Sequence, residues 1–83
     1  MRVDTQQYIY ALRTVHGRAY YVGHTGYLHG RIKQHITNNQ PAFTVDILEY
    51  LGLDNTNYQR AERWWVNELI RRGEPIQNQL LVS

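Results

Sequence analysis

The chain has 83 residues, enough for one small domain, which we expect to span residues 1–83. It has no cysteine, which excludes disulfides and thiolate metal sites, and no apolar run approaches the roughly 18 residues of a membrane span, so a cytoplasmic, intracellular protein is expected. The formal net charge is only +2, but arginine outnumbers lysine eight to one. Arginine suits phosphate recognition, although compositional bias alone would also explain the excess.

The first part of the chain has the pattern of a β-hairpin. Alternating, aromatic and β-branched residues favour strands over residues 8–15 and 19–23. His16-Gly17 is a turn signal between them. A loop bracketed by Gly23 and Gly26 follows, where the backbone must bend or approach something closely.

A helix is predicted over residues 28–37. Arg31 and His35 are four residues apart and lie at the border of the apolar stripe, so we expect them to point inward or along the rim of the sheet. Lys33 and Gln34 are expected to face water. The apolar stripe itself consists of residues at four-residue spacing: Leu28, Ile32 and Ile36.

Residues 43–51 are predicted to form a third strand. Their β-branched and aromatic content favours a strand, although the apolar spacing of the second half also fits a helix. Gly52 and Asp54 end this segment. Residues 76–82 form a short apolar tail that we expect to pack back on the domain.

A second helix is predicted from the capping-box pattern at Thr56 and Gln59 to Arg72, with Gly73 as its C-terminal cap. Glu62 lies in the middle of its apolar stripe. The other members of that stripe are apolar or aromatic: Tyr58, Ala61, Trp65, Val66 and Leu69. The neighbouring Trp64 is expected on the exposed face, as a contact for a base or a partner or as cover for the C-terminal tail.

Glu62 is the most informative single residue, because an ionised carboxylate on a core face costs several kcal/mol unless it is paired or binds a metal. One interpretation is a structural salt bridge to Arg31. The other is a metal ligand at the edge of an active site. Mg²⁺ keeps several waters and needs only one or two protein carboxylates, so a single Glu is compatible with it.

Four histidines raise the question of a zinc site. Their separations match no usual zinc-ligand spacing, and no cysteine accompanies them, which argues against zinc. His24, at a strand end, is a candidate proton acceptor or phosphate donor, and His35 shares a helix face with Arg31. His16 and His29 are expected to be turn and surface residues.

Tyr10 and Tyr21 lie on the two strands that the hairpin places side by side. Either ring could serve only as core. As a catalytic phenolate, a tyrosine with its ordinary pKa near 10 would need roughly 4 kcal/mol of help at neutral pH. A metal ion, Arg31 and a protonated His24 are the candidate sources of that help.

Two triplets resemble the motifs of the GIY-YIG nuclease superfamily. The first is present as Tyr8-Ile9-Tyr10 and the second as Tyr21-Val22-Gly23. The chain departs from the first motif in having Tyr8 where the family name has glycine, a position that carries no chemistry. Each triplet alone is a weak signal; the ordered set with its spacing, over residues 8–78, is specific.

The rest of the set follows in order. Arg31 comes eight residues after Gly23, and His35 comes four later, which matches the family's Arg-x-x-x-His helix. Glu62 and Asn78 resemble its metal-ligand Glu and terminal Asn. The resemblance implies an α/β fold with a three-stranded antiparallel sheet flanked by helices, one Mg²⁺ or Mn²⁺, and hydrolysis of a DNA phosphodiester.

The resemblance also implies roles for the strand residues. Tyr10 would take the proton from the attacking water, Tyr21 would orient water or phosphate, and His24 would assist Tyr10. Gly23 would lie close to the substrate.

For the helices and the tail, the implied roles concern phosphate and metal. Arg31 would hold the scissile phosphate, and His35 would support the phosphate or the leaving group. Glu62 would bind the metal ion, and Asn78 would contact substrate and order the site.

A metal-dependent DNA endonuclease is therefore the leading hypothesis. Relatives gain specificity from an appended domain, so this chain is expected to be weakly specific, structure-selective, homodimeric or dependent on a partner protein. The alternative is a non-catalytic nucleic-acid-binding module on the same scaffold, with Arg and Tyr serving only contact and stacking. A purely structural interaction domain explains Glu62 poorly.

Overall fold

The computed structural model describes residues 7–38, 42–51 and 57–77. The strands and helices within them follow in the order β1 (Tyr8–Arg13), β2 (Ala19–Thr25), α1 (Leu28–Thr37), β3 (Thr44–Tyr50) and α2 (Tyr58–Arg71). The strands form an antiparallel sheet with the order β2-β1-β3. This confirms the predicted α/β fold with a three-stranded antiparallel sheet and helices, and it assigns the second half of residues 43–51 to a strand.

The β1–β2 turn has the glycine that its geometry requires. Gly17 adopts a φ of 85°, in the left-handed region that glycine enters at least cost. Its N–H donates to the Thr14 carbonyl at 2.9 Å, and the Thr14 N–H donates to the Arg18 carbonyl at 2.9 Å. Strand β2 continues two residues beyond the predicted end, because His24 and Thr25 still pair with β1.

Helix α2 ends in a Schellman motif. The N–H of Gly73 donates to the Ile70 carbonyl and that of Glu74 to the Leu69 carbonyl, each at 2.9 Å. Gly73 has a φ of 93°, which confirms it as the predicted cap. Thr56, the first residue of the predicted capping box, lies outside the described residues.

The hydrophobic core lies between α2 and one face of the sheet. Ile9, Ala11 and Val22 pack there against Val66 and Leu69 of α2. Successive strand residues point to opposite faces, so the alternate positions of β1 and β2 face away from this core. The sheet therefore presents two chemically different faces, one to α2 and one to α1.

Helix α1 has the predicted bounds but not the predicted buried stripe. Its buried residue is His35, whereas Ile36 is 61% exposed. Leu28 and Ile32 are only half-buried. The prediction of an Ile36-containing core stripe was wrong because α1 meets the sheet with the side centred on His35, and Ile36 is about 100° away around the helix.

The segment after α2 returns to the sheet. The Gln77 N–H donates to the Tyr20 carbonyl at 2.8 Å, and Ile76 packs against the core. The carboxylate of Glu74 accepts the Ala19 N–H at 3.0 Å. The predicted packing of the tail is thus confirmed through residue 77, and residues 78–82 lie outside the described part of the chain. None of the described helices has the length and apolar content needed to cross a membrane.

Candidate active site

The Tyr10 side chain packs over a glycine on the neighbouring strand. Tyr10 lies on β1 directly opposite Gly23 of β2, and its side chain is fully buried. A Cβ at position 23 would lie 2.8 Å from the Tyr10 hydroxyl and 2.9 Å from the ring of Tyr21. Gly23 is therefore the residue that lets both phenol rings pack over this part of β2.

Three rings form a phenol–imidazole cluster, which consists of Tyr10, Tyr21 and His35. The Tyr10 hydroxyl oxygen lies 2.9 Å from His35 Nε2, within hydrogen-bond distance. The ring centroids of Tyr10 and Tyr21 are 6.2 Å apart, and those of Tyr21 and His35 are 5.1 Å apart. The cluster joins the α1 face of the sheet to His35, the buried residue of α1.

The protonation states of the cluster follow from burial and from two nearby charges. Burial is the largest cause of a strongly raised pKa for Tyr10, to which Tyr21 and the Glu62 carboxylate add, while Arg31 opposes them. Burial and then Arg31 lower the pKa of His35 below its usual 6.5. The phenol is thus protonated and the imidazole neutral at neutral pH, and the Tyr10 O–H donates a hydrogen bond to His35 Nε2 in the tautomer that carries its proton on Nδ1.

Glu62 is 6% exposed and is paired with His24 rather than with Arg31. His24 is directly opposite Ile9 in the β1–β2 ladder, so it faces α2, and its Nδ1 is hydrogen-bonded to the Glu62 carboxylate. Sequence analysis placed Tyr58 in the apolar stripe but not in the site. This residue lies one helical turn before Glu62, and its ring centroid is 4.3 Å from that of His24, with the two planes tilted by 42°. The four-residue spacing between Tyr58 and Glu62 indicates that the two side chains share one face of α2, and this spacing could have identified Tyr58 as a neighbour of the site.

Arg31 is exposed and is free of carboxylate partners among the described residues. The same holds for Arg60 and Arg63 on the outer side of α2. The other described arginines form ion pairs with acidic side chains: Arg13, Arg18, Arg71 and Arg72. The fold therefore leaves three described guanidinium groups available for an external anion, and one of them adjoins the phenol–imidazole cluster.

Glu62 is the buried carboxylate among the described candidate site residues. In the described part of the chain, three or more acidic, histidine or cysteine side chains nowhere gather into a metal-binding group. That donor set does not suit zinc, which takes several nitrogen or sulfur ligands from the protein. A single buried carboxylate suits Mg²⁺, which retains most of its waters and shares phosphate oxygens of the substrate.

The structure divides the described site residues between the two faces of the sheet, in pairs that the sequence did not indicate. His35, expected near the phosphate, contacts Tyr10, and His24, expected to assist Tyr10, contacts Glu62. The directly opposed strand positions explain the second pair, since they place His24 on the α2 side. Asn78 lies outside the described residues.

Three residues predicted at the surface are exposed, namely His16, His29 and Trp64. Trp64 is 56% exposed and lines a cavity of about 520 Å³ together with Arg60 and Trp65. None of the candidate site residues contributes to the lining of that cavity. It is therefore separate from the phenol–imidazole cluster.

Comparison with known proteins gives one match. The family model of the GIY-YIG catalytic domain matches residues 6–69, which include both strands of the hairpin, α1, β3 and most of α2. No curated protein and no solved structure matches the chain significantly.

Proposed function

This chain belongs to the GIY-YIG catalytic domain family, whose members are nucleases, and on this basis we propose that it is a metal-dependent DNA endonuclease. The reaction would be hydrolysis of a phosphodiester bond within a DNA strand. Tyr10, Tyr21, His24, Arg31, His35 and Glu62 would form the active site.

One observation supports this proposal most strongly. On the α1 face of β1, the Tyr10 hydroxyl lies 2.9 Å from His35 Nε2 and close enough to Arg31 for that cation to lower its pKa. At the adjacent position of the β1–β2 ladder, His24 is hydrogen-bonded to Glu62. A phosphodiester hydrolase needs these three functions close together: a proton acceptor, a positive group for the phosphate, and a carboxylate for a metal ion.

Activation of water is assigned to Tyr10 working with His35. The raised pKa of Tyr10 makes a standing phenolate costly, whereas the neutral His35 lies 2.9 Å from its hydroxyl. In the proposed step, water gives a proton to the Tyr10 oxygen as the phenol proton moves to His35 Nε2. The hydroxide attacks phosphorus, the bond to the 3′ oxygen breaks, and that oxygen takes a proton from solvent.

Arg31 is assigned to the scissile phosphate. Its guanidinium has five donors, is exposed, and has no acidic partner in the described residues, so no ion pair must be broken when phosphate binds. It is close enough to lower the pKa values of both Tyr10 and His35. Gly23 and Asn78 are proposed as substrate contacts, and Tyr21 as the group that orients water or phosphate.

Glu62 is assigned to a Mg²⁺ or Mn²⁺ ion, with His24 as the residue that holds its carboxylate. Such an ion, when bound, supplies positive charge to the phosphate and the leaving oxygen. The ring of Tyr58 packs against that of His24, and His24 is hydrogen-bonded to one oxygen of Glu62. These contacts orient the acid before any ion or substrate arrives.

DNA is the proposed partner, and two arginines of α2 that have no described ion pair support this proposal. Arg60 and Arg63 are exposed, carry no described ion pair, and lie near Trp64 on the outer side of α2. Unpaired guanidinium groups beside an exposed indole suit phosphate contact and base stacking.

A second candidate function is nucleic-acid binding without cleavage. Two observations favour it: the Tyr10 side chain is fully buried, and Glu62 already has His24 as a partner. On this alternative, the cluster would stabilise the fold and Arg31 would contact phosphate only.

Incubation with plasmid, linear and branched DNA, with Mg²⁺ and with a chelator, separates the two candidates. The endonuclease proposal predicts nicks or breaks that require Mg²⁺ and that have mapped ends within strands. Tight DNA binding by the folded protein with no cleavage of any substrate would instead favour the binding module.

A further inference from the structure

Gly30 is the third residue of α1, a helical position where glycine is less favourable than alanine. Relative to alanine, glycine in a helix interior costs about 1 kcal/mol, because the unfolded backbone loses more freedom. Gly30 adopts no left-handed φ, so backbone conformation does not require it. Its surroundings do: a Cβ there would lie 2.6 Å from two ring atoms of Tyr27.

Because Gly30 has no Cβ, the Tyr27 ring is able to pack directly against the first turn of α1. The backbone at Tyr27 is fixed as well, since its N–H donates to Thr25 Oγ1 at 3.0 Å. Despite this placement, the residue is 68% exposed. The chain thus packs part of an aromatic ring against the Gly30 backbone while leaving much of its surface to solvent, an arrangement that contributes little to a core.

This ring lies beside the unpaired Arg31. The two residues line a shared cavity of about 310 Å³, together with Thr25, Gly30 and Gln34. Its size is at the lower end of the range for small-molecule sites, which suits one planar group rather than a long ligand. The Gln34 amide adds a donor and an acceptor at its edge.

We infer that the Tyr27 ring, which packs against Gly30, is a stacking platform for an unpaired base next to the phosphate held by Arg31. Aromatic rings bind the faces of bases, and in a duplex those faces are covered by neighbouring base pairs. The substrate class that fits is DNA with an unpaired nucleotide beside the cleaved bond, as at a flap, a gap or a branch. The inference rests on the proposed function and extends it to substrate choice.

The test measures binding with chelator present, so that cleavage does not interfere. Fluorescence anisotropy gives the Kd of the wild type, Tyr27→Phe, Tyr27→Ala and Gly30→Ala for a labelled flap and for a matched duplex. A series of flaps with one abasic nucleotide, moved along the strand, locates the base that Tyr27 contacts. Ile36→Ala, which changes an exposed residue on the same helix, is the control.

Removal of the ring should weaken flap binding by roughly five- to 150-fold and duplex binding much less. Tyr27→Phe should retain flap affinity, and Gly30→Ala should lose it even though alanine favours the helix. One abasic position should weaken wild-type binding without further weakening Tyr27→Ala. Thermal unfolding of each variant checks that the fold is intact.

Equal flap affinity for the wild type, Tyr27→Ala and Gly30→Ala would overturn the inference. It would also be overturned if every abasic site weakened flap binding by the same factor in Tyr27→Ala as in the wild type. A specific loss of binding to a protein partner, with DNA affinity unchanged, would also overturn it. If the wild type cleaves duplex and flap DNA equally, the inference fails and the endonuclease proposal stands. If it neither binds nor cleaves DNA, both fail.

Discussion

The Tyr10 hydroxyl and His35 Nε2 lie 2.9 Å apart, between the central strand of the sheet and α1. The pKa of the phenol is raised and that of the imidazole is lowered, each chiefly by burial. The pair is therefore neutral at neutral pH, and its hydrogen bond connects a proton donor to an acceptor without a charge on either ring.

The pH dependence of cleavage should reflect His35. Neutral His35 is the required form, so activity is lost as the pH falls through its pKa, which lies below 6.5 in the folded protein. Single-turnover rates from pH 5 to 8 should stay high through 6.5 and fall only in more acidic buffer. His35→Gln should be slow, by about a hundredfold or more, and should lack this acidic limb.

His16→Gln serves as the matched control for that profile, because His16 is an exposed turn residue. It should reproduce the wild-type rates at every pH. An acidic limb that persists unchanged in His35→Gln would assign the titration to another group.

Tyr10→Phe should keep DNA binding but slow the single-turnover cleavage step by about a hundredfold or more. It should also lower the free energy of unfolding by about 1–3 kcal/mol, since the buried His35 Nε2 loses its partner. Rapid-quench kinetics and urea unfolding measure the two effects. A wild-type cleavage rate in a folded Tyr10→Phe protein would show that another group activates the water.

Two glycine substitutions should have opposite effects on stability. Gly23→Ala places a Cβ 2.8 Å from the hydroxyl of Tyr10, whose side chain is fully buried, so it should destabilise the protein by about 1–3 kcal/mol. Gly30→Ala instead meets the exposed ring of Tyr27, which is able to move into solvent. That variant should be as stable as the wild type or more so.

Urea unfolding of both variants checks this contrast. A Gly23→Ala protein as stable as the wild type would mean that the phenol rings do not depend on the glycine opposite them.

The salt dependence of DNA binding should show whether the arginines without a described ion pair on α2 contact DNA phosphates. Replacing Arg60 and Arg63 by glutamine should reduce the slope of log K against log salt by about 2, because each phosphate contact contributes roughly 0.9. The same change at Arg71 and Arg72, which are paired with Glu68, should leave the slope near that of the wild type. Equal slopes for the two double variants would remove α2 from the DNA interface.

Much of the fold follows from local sequence. The bounds of α1, the glycine cap of α2 and the burial of Glu62 depend on residues within a few positions of each other. Helical periodicity shows that an acid falls on the core face, and the two motif triplets identify the strands. The predicted hairpin then places Tyr10 and Tyr21 on neighbouring strands.

The pairings inside the site are not local, and the sequence did not reveal them. Whether Glu62 meets Arg31 or His24 depends on which sheet face α2 covers and on the β1–β2 register. The exposure of Ile36 depends likewise on the contact between His35 and Tyr10. These choices are made by tertiary packing between segments more than 20 residues apart, which helical and strand periodicity do not encode.

The assignment of Glu62 to a metal ion that DNA cleavage requires is tested by single-turnover nicking of supercoiled plasmid by the wild type and Glu62→Gln, each with Mg²⁺ and with chelator. Glutamine keeps the size of the side chain and removes the charge, and circular dichroism confirms that the variant is folded. Mg²⁺-dependent nicking by the wild type and none above background by Glu62→Gln is the predicted result. Equal nicking by the two proteins, or nicking by the wild type that persists in chelator, would show that cleavage does not depend on a metal ion bound by Glu62.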